Sequence, residues 1–219
     1  MNLVDGIHVS PRPRTGQGVL VQLADWVRRE GQVISEEFLR VDGFLNHRIA
    51  PAFVEAAAIQ VCARFVDERV TLVLTAEAAG NVIAYEISRR LGARAIYAKK
   101  GKATTTAHPI VRDLRSPTKG TRTQIAVSRD YLTSGERVLI VDDFLYRGTT
   151  SAALADMVVE TGATLVGFAF IIEKGFAEGR EVLVRFSVPV ESLLCVEWMD
   201  PVAGSITFSE PSESAGAGG

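Results

Sequence analysis

The chain has 219 residues, 47% apolar and 23% charged, with a formal net charge of −2, a length that suits one α/β domain with a well-buried core. The near-neutral balance argues against a general nucleic-acid binder, and no run approaches the ~20 apolar residues of a membrane span. Asp5 and His8 interrupt any signal-peptide pattern, so the expected setting is the cytoplasm.

Residues 1–18 carry prolines, arginines and glycines without periodicity and read as a mobile N-terminal arm. From Val19 to Arg29, the residues Val19, Leu20, Leu23, Trp26 and Val27 recur at helical spacing. A second helix is predicted after Pro51, with Phe53, Ala57, Val61 and Phe65 on one face. Val70–Thr75 is a short β-branched run, followed by a turn at Gly80 and a helix to about Leu91. Ala95–Ala98 reads as another strand, whereas 99–122, rich in Lys, Arg and Thr, reads as a long functional loop. Val138–Val141 is a strand ending in Asp142-Asp143, and a helix follows from Thr149 to Glu160. Gly162 stops that helix, and Thr164–Ile172 gives a long central strand. Alternating strands and helices imply βαβ units and a mainly parallel, twisted sheet flanked by helices. The domain spans 19–208, and the Ser-, Gly- and Glu-rich run 209–219 reads as a disordered tail. Cys62 and Cys195 lack paired spacing; they are two reduced thiols or one disulfide. Trp26 and Trp198 read as packing residues.

In open α/β sheets, ligands bind beyond the carboxyl ends of the strands. Asp142 and Asp143 stand at such an end, and Phe144-Leu145-Tyr146-Arg147-Gly148-Thr149-Thr150 leads directly into a helix. Gly148 allows a tight turn, and the unpaired N–H groups of the first helical turn form an anion site. Carboxylates beside a phosphate site suit ribose hydroxyls or Mg²⁺, held directly or through water.

Four apolar strand residues, two acids, two apolar residues and a Gly-Thr-Thr helix start resemble the 5-phosphoribosyl-1-pyrophosphate (PRPP) motif of type I phosphoribosyltransferases. Other segments resemble the bacterial xanthine branch of that family: Val41-Asp42-Gly43-Phe44-Leu45-Asn46-His47-Arg48-Ile49, Thr75–Gly80, Ala98-Lys99-Lys100-Gly101-Lys102, Gln124–Ser128 and Ile172-Glu173-Lys174-Gly175-Phe176. The resemblance implies the type I fold, with a small hood built from the N- and C-terminal segments. It also implies transfer of phosphoribose from PRPP to a free 6-oxopurine, xanthine preferred, with Mg²⁺ held mainly by substrate and water.

Carried over by position, it places the 5-phosphate on the backbone of Tyr146, Arg147, Gly148, Thr149 and Thr150, with Asp142 and Asp143 under the ribose. Pyrophosphate falls to Glu77, Ala78, Ala79 and Gly80, with Lys99 or Lys100 offsetting its charge. Leu45 and Asn46 contact the base from the hood, Lys174 reaches its 6-oxo group, and Phe176 lies near the ring. A homodimer is implied as well. The chain departs from the pattern at Arg147, where Thr or Asn is usual, and at Tyr146, where small residues are usual. Ala78-Ala79 replaces a common hydroxyl pair. Guanine, hypoxanthine or an unusual base are the alternative substrates. Purine repressors share the Asp-Asp-Phe loop but need an added DNA-binding module, for which residues 1–18 are too short.

Overall fold

In the computed structural model, residues 16–101, 107–115 and 122–209 are described. Helix α1 (Gln17–Glu30) buries Leu20, Leu23, Ala24 and Val27 along one stripe. Arg28 and Arg29 occupy its last turn, where cations complement the helix dipole. A small antiparallel ribbon follows, β1 (Gln32–Val33) with β2 (Leu39–Arg40). Helix α2 (Pro51–Phe65) starts on the proline, whose missing N–H costs nothing in the first turn. Its Phe53, Ala57, Val61 and Phe65 are all buried, as their spacing predicts.

The main sheet is built from β3 (Leu72–Ala76), β4 (Arg94–Lys100), β5 (Pro109–Arg115), β6 (Arg122–Ser128), β7 (Arg137–Leu145), β8 (Thr164–Lys174), β9 (Val190–Asp200) and β10 (Ser205–Phe208). Helices α3 (Gly80–Leu91), α4 (Thr149–Glu160) and α5 (Gly179–Val184) supply the crossovers. The spatial order is β10-β9-β8-β7-β3-β4-β6-β5. The five strands from β9 to β4 run parallel, and both flanks are antiparallel. Every residue of β3 is buried, as a strand covered on both faces requires. One face packs α1, α2 and α3 around Val27, Phe53 and Ile87; the other packs α4 and α5 around Met157, Phe168 and Leu183.

Helix α3 leaves β3 on one face and α4 leaves β7 on the other, while β3 and β7 are neighbours. That divergence opens a crevice at their carboxyl ends, the usual ligand position in such sheets. Strand β7 runs through Asp142 and Asp143 to Leu145, further than the expected end at Val141. The segment 99–122 is not a continuous loop: Pro109–Arg115 and Arg122–Ser128 form a hairpin extending the sheet. Arg112 turns toward α4, where it pairs with Glu160, Asp113 accepts from Gln124, and on β6 Ile125, Ala126 and Val127 are buried in succession, so no alternation of period two marks the hairpin. The ribbon β1–β2 is the N-terminal part of the expected hood, whereas the C-terminal β9 and β10 join the main sheet. Trp26 packs edge-on against Phe53, but Trp198 is exposed and is not a core residue. The arm 1–18 and tail 209–219 fall mostly outside the described residues, and α1 already begins at Gln17.

Candidate active site

Strand β7 delivers Asp142 and Asp143 into the crevice. The Asp143 N–H donates to Asp142 Oδ1 and the Phe144 N–H to Asp143 Oδ1, each at 3.0 Å, so the backbone orients both carboxylates. Asp142 keeps some surface, yet its carboxyl is desolvated. Burial, then the neighbouring Asp143 charge, pushes its pKa well above the ordinary carboxylate range, and Lys100 only partly offsets this. A bound cation or a pair of ribose hydroxyls would relieve that stress.

Beside this pair the turn Glu77–Gly80 opens α3. Its fit against β7 is tight: a Cβ on Gly80 would stand 1.9 Å from Thr75 Oγ1 and 3.0 Å from Asp142 Oδ1. The Glu77–Ala78 peptide is cis. Glu77 ties the turn to β4, its N–H donating to the Ala98 carbonyl at 3.1 Å and its Oε1 accepting the Lys100 N–H at 2.6 Å. Exposed Lys99 and Lys100 are thereby held at the same rim. Ala78 and Ala79 contribute no side-chain donor, which leaves main-chain groups for any anion there.

After β7 the chain turns through Tyr146 and Arg147 to Gly148, which takes the left-handed φ of 67° favoured by glycine. Helix α4 then starts at Thr149, and no side chain caps it among the described residues. The N–H groups of its first turn stay available to an anion, with Thr149 and Thr150 beside them. Gly148 and Gly179 also let two backbones touch. A Cβ on Gly148 would lie 2.5 Å from Gly179 O, and one on Gly179 would lie 2.3 Å from Tyr146 O. Gly179 belongs to no motif read from the sequence; its place under the loop is visible only in three dimensions.

The segment between β2 and α2 covers the crevice from above. Asn46 Nδ2 donates to Asp143 Oδ2 at 3.4 Å, joining the expected hood to the carboxylate pair. Leu45 is 1% exposed and its side chain packs in the core. His47 is exposed. Lys174, the last residue of β8, is 8% exposed and donates from Nζ to the Glu37 carbonyl at 2.5 Å. The rings of Tyr146, Phe144 and Phe38 surround its ammonium at 4.6, 5.4 and 5.9 Å. Burial pushes the Lys174 pKa down, against the pull of Glu37 and Asp143. Glu173 is not its partner: that carboxylate pairs with Arg180 through two bonds of 2.9 and 2.5 Å. Phe176 lies beyond the strand end, largely exposed.

Tyr146 donates its hydroxyl to Glu37 Oε2 at 2.7 Å, and exposed Arg147 stacks on the Tyr146 ring at 5.2 Å. Glu37 and Phe38 sit in a polar turn with no motif, and sequence reasoning missed them. A separate cavity of about 670 Å³ lies between α1, β9 and β10, lined by Arg28, Arg64 and Phe208 on the far side of Glu173. It holds none of the residues gathered in the crevice. Among the described residues no cluster of three or more His, Cys, Asp or Glu could bind a metal, and no helix is long and apolar enough to cross a membrane.

Residues 41–188, which include the carboxylate pair, the Glu77–Gly80 turn, the Gly148 loop and Lys174 but not Glu37 or Phe38, match the phosphoribosyl transferase domain. The chain belongs to the phosphoribosyltransferase family. Two curated phosphoribosyltransferases are similar over nearly their whole lengths. A xanthine phosphoribosyltransferase of Chloroflexus aurantiacus is 39% identical over 195 residues, 88% of each chain. One from Brevibacillus brevis is 39% identical over 87% of this chain and 98% of its own. The crystal structure of an adenine phosphoribosyltransferase from Rhodothermus marinus shares the fold, with a TM-score of 0.67, 21% identity and coverage of 80% of this chain and 99% of that one. The type I phosphoribosyltransferase fold expected from the sequence is therefore the fold observed, and the chain is a phosphoribosyltransferase of the xanthine-enzyme type by homology.

Proposed function

We propose that this phosphoribosyltransferase transfers the phosphoribosyl group of PRPP to a 6-oxopurine, xanthine in preference, forming the nucleoside monophosphate and pyrophosphate. The observation that carries the choice of base is Lys174, a buried ammonium in the same crevice as Asp142, Asp143 and the Gly148 loop. An ammonium has donors and no acceptor, so it suits an exocyclic oxygen and rejects an exocyclic amine. The likeness to xanthine phosphoribosyltransferases supports the same base.

In this reading the first turn of α4 holds the 5-phosphate, and Asp142 and Asp143 accept hydrogen bonds from the ribose hydroxyls. The Glu77–Gly80 turn and Lys99 or Lys100 receive the pyrophosphate. The bond from the ribosyl carbon to the pyrophosphate oxygen breaks, and its electron pair leaves with pyrophosphate. The purine nitrogen forms the new bond from the opposite face and releases its proton to water. Lysines aimed at the departing charge act where that charge develops, which is the electrostatic part of the catalysis. Mg²⁺ fits beside this pair of carboxylates, and when bound with PRPP it supplies further charge stabilisation to the leaving group.

A homodimer in the cytoplasm completes the proposal. Cys62 and Cys195 are free thiols, and burial pushes Cys62 up to about 11, both suited to a reducing compartment. The test is product formation from PRPP and Mg²⁺ with xanthine, guanine, hypoxanthine and adenine in parallel. Xanthine is expected to give the highest kcat/KM and adenine the lowest. A preference for adenine would overturn the role given to Lys174, and retained PRPP binding without turnover of any base would favour a sensor of the same fold.

A further inference from the structure

The turn Ser35–Phe38 between β1 and β2 touches both walls of the base site through one residue. The Glu37 carbonyl accepts from Lys174 Nζ on β8, and its carboxylate accepts from the Tyr146 hydroxyl on the phosphate loop. The turn's own hydrogen bonds are local: the Phe38 N–H donates to Ser35 O and Oγ, and the Ile34 N–H to Phe38 O. A ribbon of two short strands is marginal alone, so contacts to the body of the protein must hold it in place. The two contacts differ in kind. Lys174 is nearly buried, and a desolvated ammonium requires an acceptor; without a base, a main-chain carbonyl serves. The ammonium has three N–H donors, so Lys174 can bond a base oxygen while the Glu37 carbonyl keeps its own bond, and the Tyr146–Glu37 bond is a second hold on the turn.

We propose that Tyr146 and Glu37 are base-positioning residues that form a latch: their side-chain bond keeps the turn, and with it the Lys174 ammonium, in place over the crevice while another N–H of Lys174 takes the exocyclic oxygen of the base. This rests on the role given to Lys174 above.

Three variants test it. Tyr146→Phe keeps the ring over Lys174 and removes only the hydroxyl. Glu37→Ala removes the acceptor, and Glu37→Gln restores an acceptor oxygen. Tyr146→Phe and Glu37→Ala should each raise KM for the base roughly five- to tenfold, the worth of one hydrogen bond, with a smaller change in KM for PRPP. The double variant should do no more than either single one, and Glu37→Gln should recover most of the loss. Additive effects, an unchanged KM or a lowered KM would overturn the latch. Hydrogen exchange in the free protein gives a readout independent of substrate: Tyr146→Phe should speed exchange at the Ile34 and Phe38 amides. Unchanged exchange alongside normal 6-oxopurine turnover removes the latch and leaves the proposed function standing. Faster exchange in a protein that turns over no 6-oxopurine overturns the Lys174 contact to the base and the function together, while the holding contact remains.

Discussion

Asp142 is the residue under most electrostatic stress. Its pKa is raised by burial and by Asp143, so the folded chain binds a proton there more readily than the unfolded chain does. Folding stability from this group therefore falls as pH rises above the ordinary carboxylate range, toward the raised folded value. Asp142→Asn removes the penalty without changing shape, so at neutral pH it should raise Tm by about 2–4 °C. Combined with Asp143→Asn it should abolish turnover, as calorimetry and a product assay would show. Lys174 is displaced in the opposite sense, its pKa lowered by burial. It donates only while protonated, so KM for the base should climb in alkaline solution below the titration of exposed lysines at about 10.4. Lys174→Gln should lower kcat/KM for a 6-oxopurine by about 10- to 100-fold with KM for PRPP nearly constant, because only a charged hydrogen bond to the base is lost. Both residues were identified from the sequence through the segments they share with known enzymes. Their protonation behaviour was not, since it comes from burial that neighbours distant in sequence create.

Elements show the same division. Helix α4 begins at Thr149 and ends at Glu160 as read, because a glycine before it and Gly162 after it punctuate a strong apolar pattern. The hairpin β5–β6 was not legible: its pairing is antiparallel at a sheet edge, and Ile125, Ala126 and Val127 are buried in succession, so no alternation marks it. Nor was the seat of the phosphate loop legible, since Gly179 follows Gly148 by a whole helix, a whole strand and a turn. Gly179→Ala would press a methyl group to within 2.3 Å of the Tyr146 carbonyl. The loop must move, and KM for PRPP should rise at least tenfold, while KM for the base, if Tyr146 loses its bond to Glu37, should rise by no more than the roughly five- to tenfold expected of Tyr146→Phe. Steady-state kinetics with each substrate varied in turn checks this. The buried Glu173 braces the same neighbourhood, since Arg180 ties it to α5 and also reaches the Val190 carbonyl at 2.7 Å.

At the scale of the whole molecule the sheet separates reactive from structural polarity. Its carboxyl ends hold the crevice; its amino ends hold Glu136, 8% exposed, which accepts from Thr71 Oγ1 at 2.5 Å and from Arg94 at 2.7 Å. Glu136→Ala removes the bonds from Thr71 and Arg94, both of which water can satisfy, and should cost about 0.5–1.5 kcal/mol, seen as a fall in Tm of roughly 1–6 °C with both KM values unchanged. Registration along the strands connects the two ends. Val138 of β7 is opposite Leu165 of β8, but Leu139 is opposite Gly167, so β8 carries one extra residue there. Gly167 has room for no side chain, since a Cβ would come within 2.5 Å of the Phe65 ring, which pins the irregularity. Successive strand residues face opposite ways. Were the same β8 residues paired with β7 in one continuous register, with no bulge, Glu173 would stand where Lys174 now stands and present a carboxylate in place of an ammonium. Whether the far end of the sheet attracts or repels an electron-rich ring is thus decided by parity, a count of odd against even made at the opposite end of the strand.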